Sequence, residues 1–294
     1  MNRDTRDTQG TPPEINRRQV LALSGMAAAG IPVSLAAIAG CVGNPVCRQM
    51  TDINKNGEGV QMLVNVRDFG AVGDGVTDDH KAIQRSFQEG LTESGGIVFF
   101  PPGRYRCGGR IVSEAKPVSV LGAGRGSSVI CFTATEEDQV GFLFDQQVYT
   151  NTVELRSLTL TTDQAEPGDA LTVRYSSQDC RAVRIYERVY LENINIVGTD
   201  TACHGFRNGV CLEHVNSPLL LNVSVSGRQP AAGLSNRTHT NACFKLIGGA
   251  LQTGGIPVQS GFYRCSGYNA RFGIHVSGAH EGMIVHGGNF VECG

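Results

Sequence analysis

Four short segments of the sequence share a phase: ALTV from Ala170, GVCLE from Gly209, CFKLI from Cys243 and GIHVS from Gly273. Taking Leu171, Val210, Phe244 and Ile274 as equivalent inward positions gives steps of 39, 34 and 30 residues. Strands send alternate side chains to opposite faces. That phase points Thr172, Cys211, Lys245 and His275 outward in one column, with Arg174, Glu213, Ile247 and Ser277 in the column beside it. If the segments stack, Glu213, Lys245 and His275 lie on three successive strands and share one surface. Lysine neutralises a carboxylate, and a histidine or glutamate exchanges the proton on the adjacent carbon; the chemistry open to this trio is β-elimination or epimerisation. A register slip of one residue would turn all three inward, so the stacking has to be argued separately.

A second series supports the stacking. VELRSLTL from Val153, VYLENINI from Val189 and PLLLNVSV from Pro218 each place apolar residues two apart, then a polar residue (Ser157, Asn193, Asn222), then more apolar ones, with steps of 36 and 29. Two interleaved series of similar period predict a solenoid with two strands per coil. Ser157, Asn193 and Asn222 form a polar ladder at one corner. GFYRCSGYNARFGI and GMIVHGGNFVECG repeat the motif with Cys265 and Gly288 only 23 residues apart. Composition agrees. Glycine contributes 38 of 294 residues, about 13% against a usual ~7%, as repeated tight corners require. A net charge of −2 and 40% hydrophobic residues exclude disorder and electrostatic nucleic-acid binding. The absence of Trp argues against a Trp-lined sugar platform.

Upstream, VNVRDFGAVGDGVTDD (Val64 to Asp79) is a turn-rich loop leading into a helix. Thr77 is its expected N-cap, Asp78 and Asp79 favour the positive dipole end, and Ile83, Phe87 and Leu91 repeat at four-residue spacing to form an apolar stripe. Beyond Ser94-Gly95-Gly96, strands are predicted at IVFF, from Tyr105 to Val112 and from Pro117 to Leu121.

Together VNVRDFGAVGDGVTDDHKAIQ, GGIVFFPPGRYR and VLGAGRGSSVI, within Val64 to Cys131, resemble the N-terminal part of the pectate-lyase-like superfamily of rhamnogalacturonase or epimerase type. The resemblance implies an all-β fold, a right-handed parallel β-helix with a short N-terminal capping α-helix. It implies polysaccharide lyase, epimerase or glycosidase chemistry without choosing among them, because fold alone does not specify reaction. Against that background the trio suits a uronate-containing polysaccharide, with Lys245 on the carboxylate and His275 or Glu213 at C5.

Other candidates are weaker. Arg156 and Glu192 are expected to pair across coils as a solvated ion pair. His204-Gly205 and His286-Gly287 echo the Gly-His-Gly of polygalacturonase-like hydrolases but lack the first glycine, and that family's Asn-x-Asp, Asp-Asp and Arg-x-Lys are missing from the coils. Asp163, Glu166 and Asp169 are clustered enough to supply paired carboxylates or hold Ca²⁺, though such a turn is ordinarily just solvated. No cofactor is required. His214, His239 and His280 read as surface or corner residues. The ten cysteines include no CxxC pair, and the simplest reading is small buried thiols, Cys131 and Cys243 among them.

Residues 1–40 read as a twin-arginine-like lipoprotein signal peptide with Arg17-Arg18, and Ile38-Ala39-Gly40-Cys41 as a lipobox with lipidation at Cys41. Residues 41–62 read as a tether and 63–294 as a β-helix expected to lack its C-terminal coils, so that the open coil invites a partner, a homo-oligomer being one arrangement. The expected protein is exported to the periplasm or cell envelope, touching membrane only through its lipid, with a polysaccharide as substrate. Its counterpart reading is a non-catalytic glycan-binding or structural β-helix, or an inactive fragment of a longer enzyme.

Overall fold

The computed structural model describes residues 62–147, 151–175, 189–229, 240–248 and 258–293. The expected signal, lipobox and tether, including Cys41, lie outside the described residues, as does His239. The first coil contains β1 (Leu63–Asn65), β2 (Asp74–Asp78) and helix α1 (His80–Glu89). Two three-stranded coils follow, β3 (Gly96–Phe100), β4 (Gly103–Cys107) and β5 (Ile111–Glu114), then β6 (Val118–Gly122), β7 (Ser128–Phe132) and β8 (Phe142–Gln146). Next come β9 (Val153–Thr162) with β10 (Asp169–Tyr175), and β11 (Val189–Gly198) with β12 (Asn208–Glu213). The remaining coils are β13 (Leu219–Leu221), β14 (Ser224–Ser226) and β15 (Ala242–Ile247); β16 (Val258–Tyr263), β17 (Ser266–Ala270) and β18 (Phe272–Ser277); and β19 (Glu281–His286) with β20 (Asn289–Cys293).

All these strands pair in parallel, each with its counterpart one coil away, in three ladders. The first runs β1-β3-β6-β9-β11-β13-β16-β19, the second β2-β4-β7-β9-β11-β14-β17-β20, and the third β5-β8-β10-β12-β15-β18. This is a right-handed parallel β-helix, the hand that parallel crossovers take. Each coil thus carries three faces rather than the two strands expected. The reason is local. β9 and β11 pass from the first ladder to the second without a loop, bending at single residues in the left-handed region, Ser157 (φ 58°) and Asn193 (φ 53°). Asn222 (φ 55°), Arg264 (φ 52°) and Gly287 (φ 64°) turn the same corner in later coils. The predicted polar ladder is present there, with Asn222 Nδ2 donating to Asn193 Oδ1 at 2.6 Å. Asparagine tolerates this backbone conformation better than most side chains.

Inward residues fill the core. Val120, Leu155, Leu191 and Leu220 stack on the first ladder, Ile130, Leu160, Ile196 and Val225 on the second, and Leu171, Val210 and Phe244 on the third, all at or below 2% exposure. Cys131, expected to be buried, instead points outward from β7 and is half-buried, because its register partner is outward Thr161.

Helix α1 stands where a third-ladder strand would stand in the first coil. Ile83 and Phe87 face inward, Leu91 is buried just beyond the helix end, and Phe87 meets Phe142 and Phe144 at ring distances of 6.0 and 6.3 Å. The edge of β5 would otherwise be bare. Gln84 covers it: its Nε2 donates to Val112 O at 2.9 Å and its Oε1 accepts from Val112 N at 2.8 Å. A side-chain amide thereby replaces the peptide of a missing strand. Thr77 is not the N-cap. It belongs to β2, where its hydroxyl donates to Asp74, and the helix begins after Asp79. Asp79 is buried, and its carboxylate accepts from Val72 N (2.6 Å) and Gly73 N (3.1 Å) of the preceding loop. Asp78 binds His80 N and Gly108 N. The predicted strand from Tyr105 to Val112 is two strands, β4 and β5, with a corner at Gly108-Gly109. Glycine is needed there because a Cβ at Gly109 would come within 2.7 Å of the His80 ring.

Candidate functional site

The inward phase inferred for the third ladder is observed residue for residue: Leu171, Val210, Phe244 and Ile274 are successive register partners. The outward columns follow. Cys211, Lys245 and His275 are aligned partners, as are Arg174, Glu213, Ile247 and Ser277. Lys245 and His275 therefore sit side by side at the ~4.8 Å strand spacing, and Glu213 lies diagonally from Lys245, about 8 Å away by strand geometry. All three are half-buried.

Their surroundings differ. Lys245 has no ion-pair partner among the described residues, so its charge is available to an incoming anion. The Cys211 thiol donates to Glu213 Oε1 at 3.8 Å. Cys211 occupies an outward position yet is 1% exposed, and burial, reinforced by Asp169 and Glu213, pushes its thiol far up. It is an uncharged floor beneath the site. The His275 ring stacks on Phe272, centroids 4.7 Å apart and planes 17° apart, and the Arg271 guanidinium lies 5.2 Å from the Phe272 centroid. Nδ1 of His275 is buried without a hydrogen-bond partner.

One charged neighbour escapes the sequence reading. Asp145 of β8 is the register partner of Arg174 and pairs with it, so that Asp145, Arg174 and Glu213 make a column of alternating charge beside Lys245 and His275. The Asp145 hydrogen bond and the charges of Asp145 and Glu213 raise the Arg174 guanidinium further above its usual value. The signal was present: Phe142 of FLFDQ stands one period, 29 residues, before its register partner Leu171.

The corner between the first two ladders shrinks to one residue in β9 and β11, whereas the described connection 199–207 leads into the third ladder at β12. At the third ladder's edge Leu212, Val215, Pro218, Leu246, Ile247 and His280 line a shallow crevice open to solvent, with none of the enclosed volume, about 300 Å³ or more, of an ordinary ligand pocket. An extended ligand lying across the strands suits such an open face better than a small enclosed one.

Of the other candidates, Asp169 opens β10 on this ladder and His280 lines the crevice at its edge. Arg156 lies 2.9 Å from Glu154 and 3.9 Å from Glu192, 4.7 Å over the Tyr190 ring, on the first ladder. His204 Nδ1 shares a hydrogen bond with Thr199 at 2.8 Å, and His286 is the partner of Tyr263 on the first ladder. Asp163 pairs with Arg106, Glu166 with Arg228, and Asp169 accepts from Asn208 Nδ2 at 2.6 Å. Among the described residues, no group of three or more His, Cys, Asp or Glu is arranged to hold a metal. His214 turns the corner after β12 with φ 56°, and His280 Nε2 shares a hydrogen bond with the buried Ser260 hydroxyl at 3.1 Å.

A parallel β-helix capped by a helix in its first coil is the architecture of the pectate-lyase-like class. Residues 63–245 match the family described as rhamnogalacturonase A/epimerase, pectate lyase-like, and the chain belongs to that family. Mannuronan C5-epimerase AlgE2 of Azotobacter vinelandii is 44% identical over 75 residues, 24% of this chain and 8% of that protein. Alginate lyase 7 of the same organism is 44% identical over 75 residues, 24% of this chain and 9% of the relative. The preneck appendage protein of Bacillus phage PZA is 29% identical over 153 residues, 49% of this chain and 17% of the relative. The chain thus spans less than a fifth of the length of each of these relatives.

Proposed function

We propose that the third ladder binds an acidic polysaccharide and exchanges the proton at C5 of its uronate residues. The observation that carries this reading is the juxtaposition of unpaired Lys245 with its register partner His275, with Glu213 on the diagonal. Lys245 meets the uronate carboxylate and stabilises the negative charge that builds on it when C5 loses its proton. His275 or Glu213 takes that proton. Returning a proton to the opposite side of C5 gives the epimer. Expelling the oxygen at C4 as the C5–H electrons form the C4–C5 double bond gives chain cleavage by β-elimination. The names of the two Azotobacter vinelandii relatives, a mannuronan C5-epimerase and an alginate lyase, match those two outcomes. Glycosidase action is the more distant variant, since it needs two carboxylates flanking a glycosidic bond. Export with a lipid at Cys41 is the accompanying proposal.

The test incubates the purified protein with a panel of uronate polysaccharides while following unsaturated product, exchange of the C5 proton with deuterium oxide, and new reducing ends. Lys245→Ala and His275→Ala are expected to abolish elimination or exchange with the fold intact. Wild-type rates in both variants remove the trio. Silence of the wild-type protein in all three assays alongside measurable glycan binding establishes the non-catalytic reading instead. Incorporation of a labelled fatty acid that Cys41→Ala abolishes tests the anchor, and an unlabelled wild type refutes it.

A further inference from the structure

Arg125 is a cation held against the sheet with no carboxylate beside it among the described residues. It stands in the segment 123–127 that joins β6 to β7 and folds back over the second ladder. The Thr159 hydroxyl donates to the Arg125 carbonyl, and Thr159, although outward on β9, is only 7% exposed. The side chain reaches on to the next coil, where Nη2 lies 3.5 Å from Oδ1 of Asn195, the register partner of Thr159 on β11. That contact is long for a hydrogen bond and engages one of the five guanidinium donors. Outward Arg106, Arg156 and Arg174, by contrast, each meet a carboxylate. Arg125 is half-buried, and burial alone pulls its guanidinium below the usual value. A charge taken partly out of water and left unpaired is costly, and an arriving anion relieves that cost.

The face beyond Arg125 has the composition of a sugar-binding surface. Asn195 continues through its register partners Ser224 of β14 and Ser266 of β17, and the neighbouring column sets Ser226 beside Tyr268. All five side chains are half-buried and point outward. From β4 to β20 none of the outward positions of the second ladder is acidic. The first ladder carries Glu154 and Glu192 outward, and the third carries Asp145 and Glu213. Asn195 and Ser266 are two strand spacings apart, about 10 Å, roughly the length of a disaccharide.

We propose that the outer face of the second ladder is a separate glycan-binding subsite, in which Arg125 takes the carboxylate of a uronate and the column from Asn195 to Tyr268 takes the sugars that follow. The planar guanidinium fork matches a carboxylate in charge and shape. The Asn195 amide and the Ser224 and Ser266 hydroxyls both donate and accept, as sugar hydroxyls require. Tyr268 offers an apolar ring face to the C–H side of a sugar and keeps its hydroxyl in water. The choice of a uronate as ligand rests on the function proposed above. Binding here needs no residue of the third ladder and no proton transfer.

In the experiment the full-length chain carrying Lys245→Ala and His275→Ala, disabled on the third ladder, is titrated by calorimetry. The probes are mannuronate and galacturonate hexasaccharides, the same sugars reduced at their carboxyls, and inorganic sulfate. The expected result is saturable binding of at least one uronate, about tenfold or more tighter than of its reduced form, as loss of a charge-assisted contact implies. Arg125→Gln, which keeps the backbone bond to Thr159, is expected to weaken binding by a similar factor, and Tyr268→Ala by a smaller one. The reduced sugars test the same contact without any substitution. No binding to the disabled chain, equal affinity for the reduced sugar, or unchanged affinity in Arg125→Gln overturns the proposal. So does sulfate binding that matches the uronate and ignores Tyr268→Ala, which leaves a general oxyanion site. Placed alone in the native chain, Arg125→Gln is expected to keep the wild-type kcat. Glycan binding through Arg125 in a chain without C5 chemistry refutes the third-ladder reaction and leaves this face standing.

Discussion

Asp79→Ala tests whether the Gly- and Asp-rich motif near the start of the solenoid is architecture or chemistry. Asp79 is 1% exposed, and its two oxygens accept from the backbone amides of Val72 and Gly73. Its own backbone N–H donates to Arg106 O at 2.7 Å and its carbonyl accepts from Ile83 N at 2.9 Å. The residue therefore ties the cap loop, β4 and the helix start together. Alanine keeps the backbone bonds and deletes the two made by the carboxylate. Each charge-assisted bond contributes about 1.5–3 kcal/mol, and water reaches part of the vacated site, so a loss of about 3–5 kcal/mol is expected. At ~2–4 °C per kcal/mol for a domain of this size, the melting temperature falls by about 6–20 °C. Urea titration followed by circular dichroism measures the change, with Asp79→Asn, which keeps one acceptor, falling between. A loss under about 1 kcal/mol refutes the assignment. So does a variant of unchanged stability that has lost a wild-type polysaccharide activity, since that outcome moves the motif from fold to reaction.

Gln84→Ala exposes both Val112 backbone groups at the third ladder's edge; a loss of about 1–3 kcal/mol is expected, and urea midpoints within error of wild type would contradict the strand-mimic role. Asn222→Ala removes the ladder bond and places alanine at φ 55°, a loss of about 2 kcal/mol together; Asn222→Gly, free of the backbone cost, should lose clearly less, and equal losses would refute the backbone argument. Burial lowers the affinity of His280 for a proton. The unfolded chain therefore binds that proton first, and stability should decline as pH drops below ~6.5. In His280→Gln that component of the decline disappears; parallel pH curves for the two proteins count against it.

The capping helix and the third-ladder phase were legible in the sequence because each is set by side-chain alternation or helical spacing within one segment. The polar corner was legible for the same reason, since Ser157, Asn193 and Asn222 each interrupt a period-two pattern at the same place. Three faces read as two because a bend at one left-handed residue leaves no loop to notice in β9 or β11. Thr77 and Asp79 are equally good caps by residue type, and only the burial of Asp79 against the loop amides separates them. Asp145 was missed one period upstream of a series that contained its partner Arg174.

The sequence by itself determined which side chains point inward, because a strand's period of two and a helix's of 3.6 are properties of the local chain. Tertiary structure alone decided which outward residues meet. Coil-to-coil register depends on where each connection returns the chain, and those connections vary in length from coil to coil. The pairing of Lys245 with His275 could be proposed from aligned phases, but the reach of Gln84 from α1 to both backbone groups of Val112 could not. It depends on the helix lying against β5 one coil away, a relation between two segments that neither encodes alone.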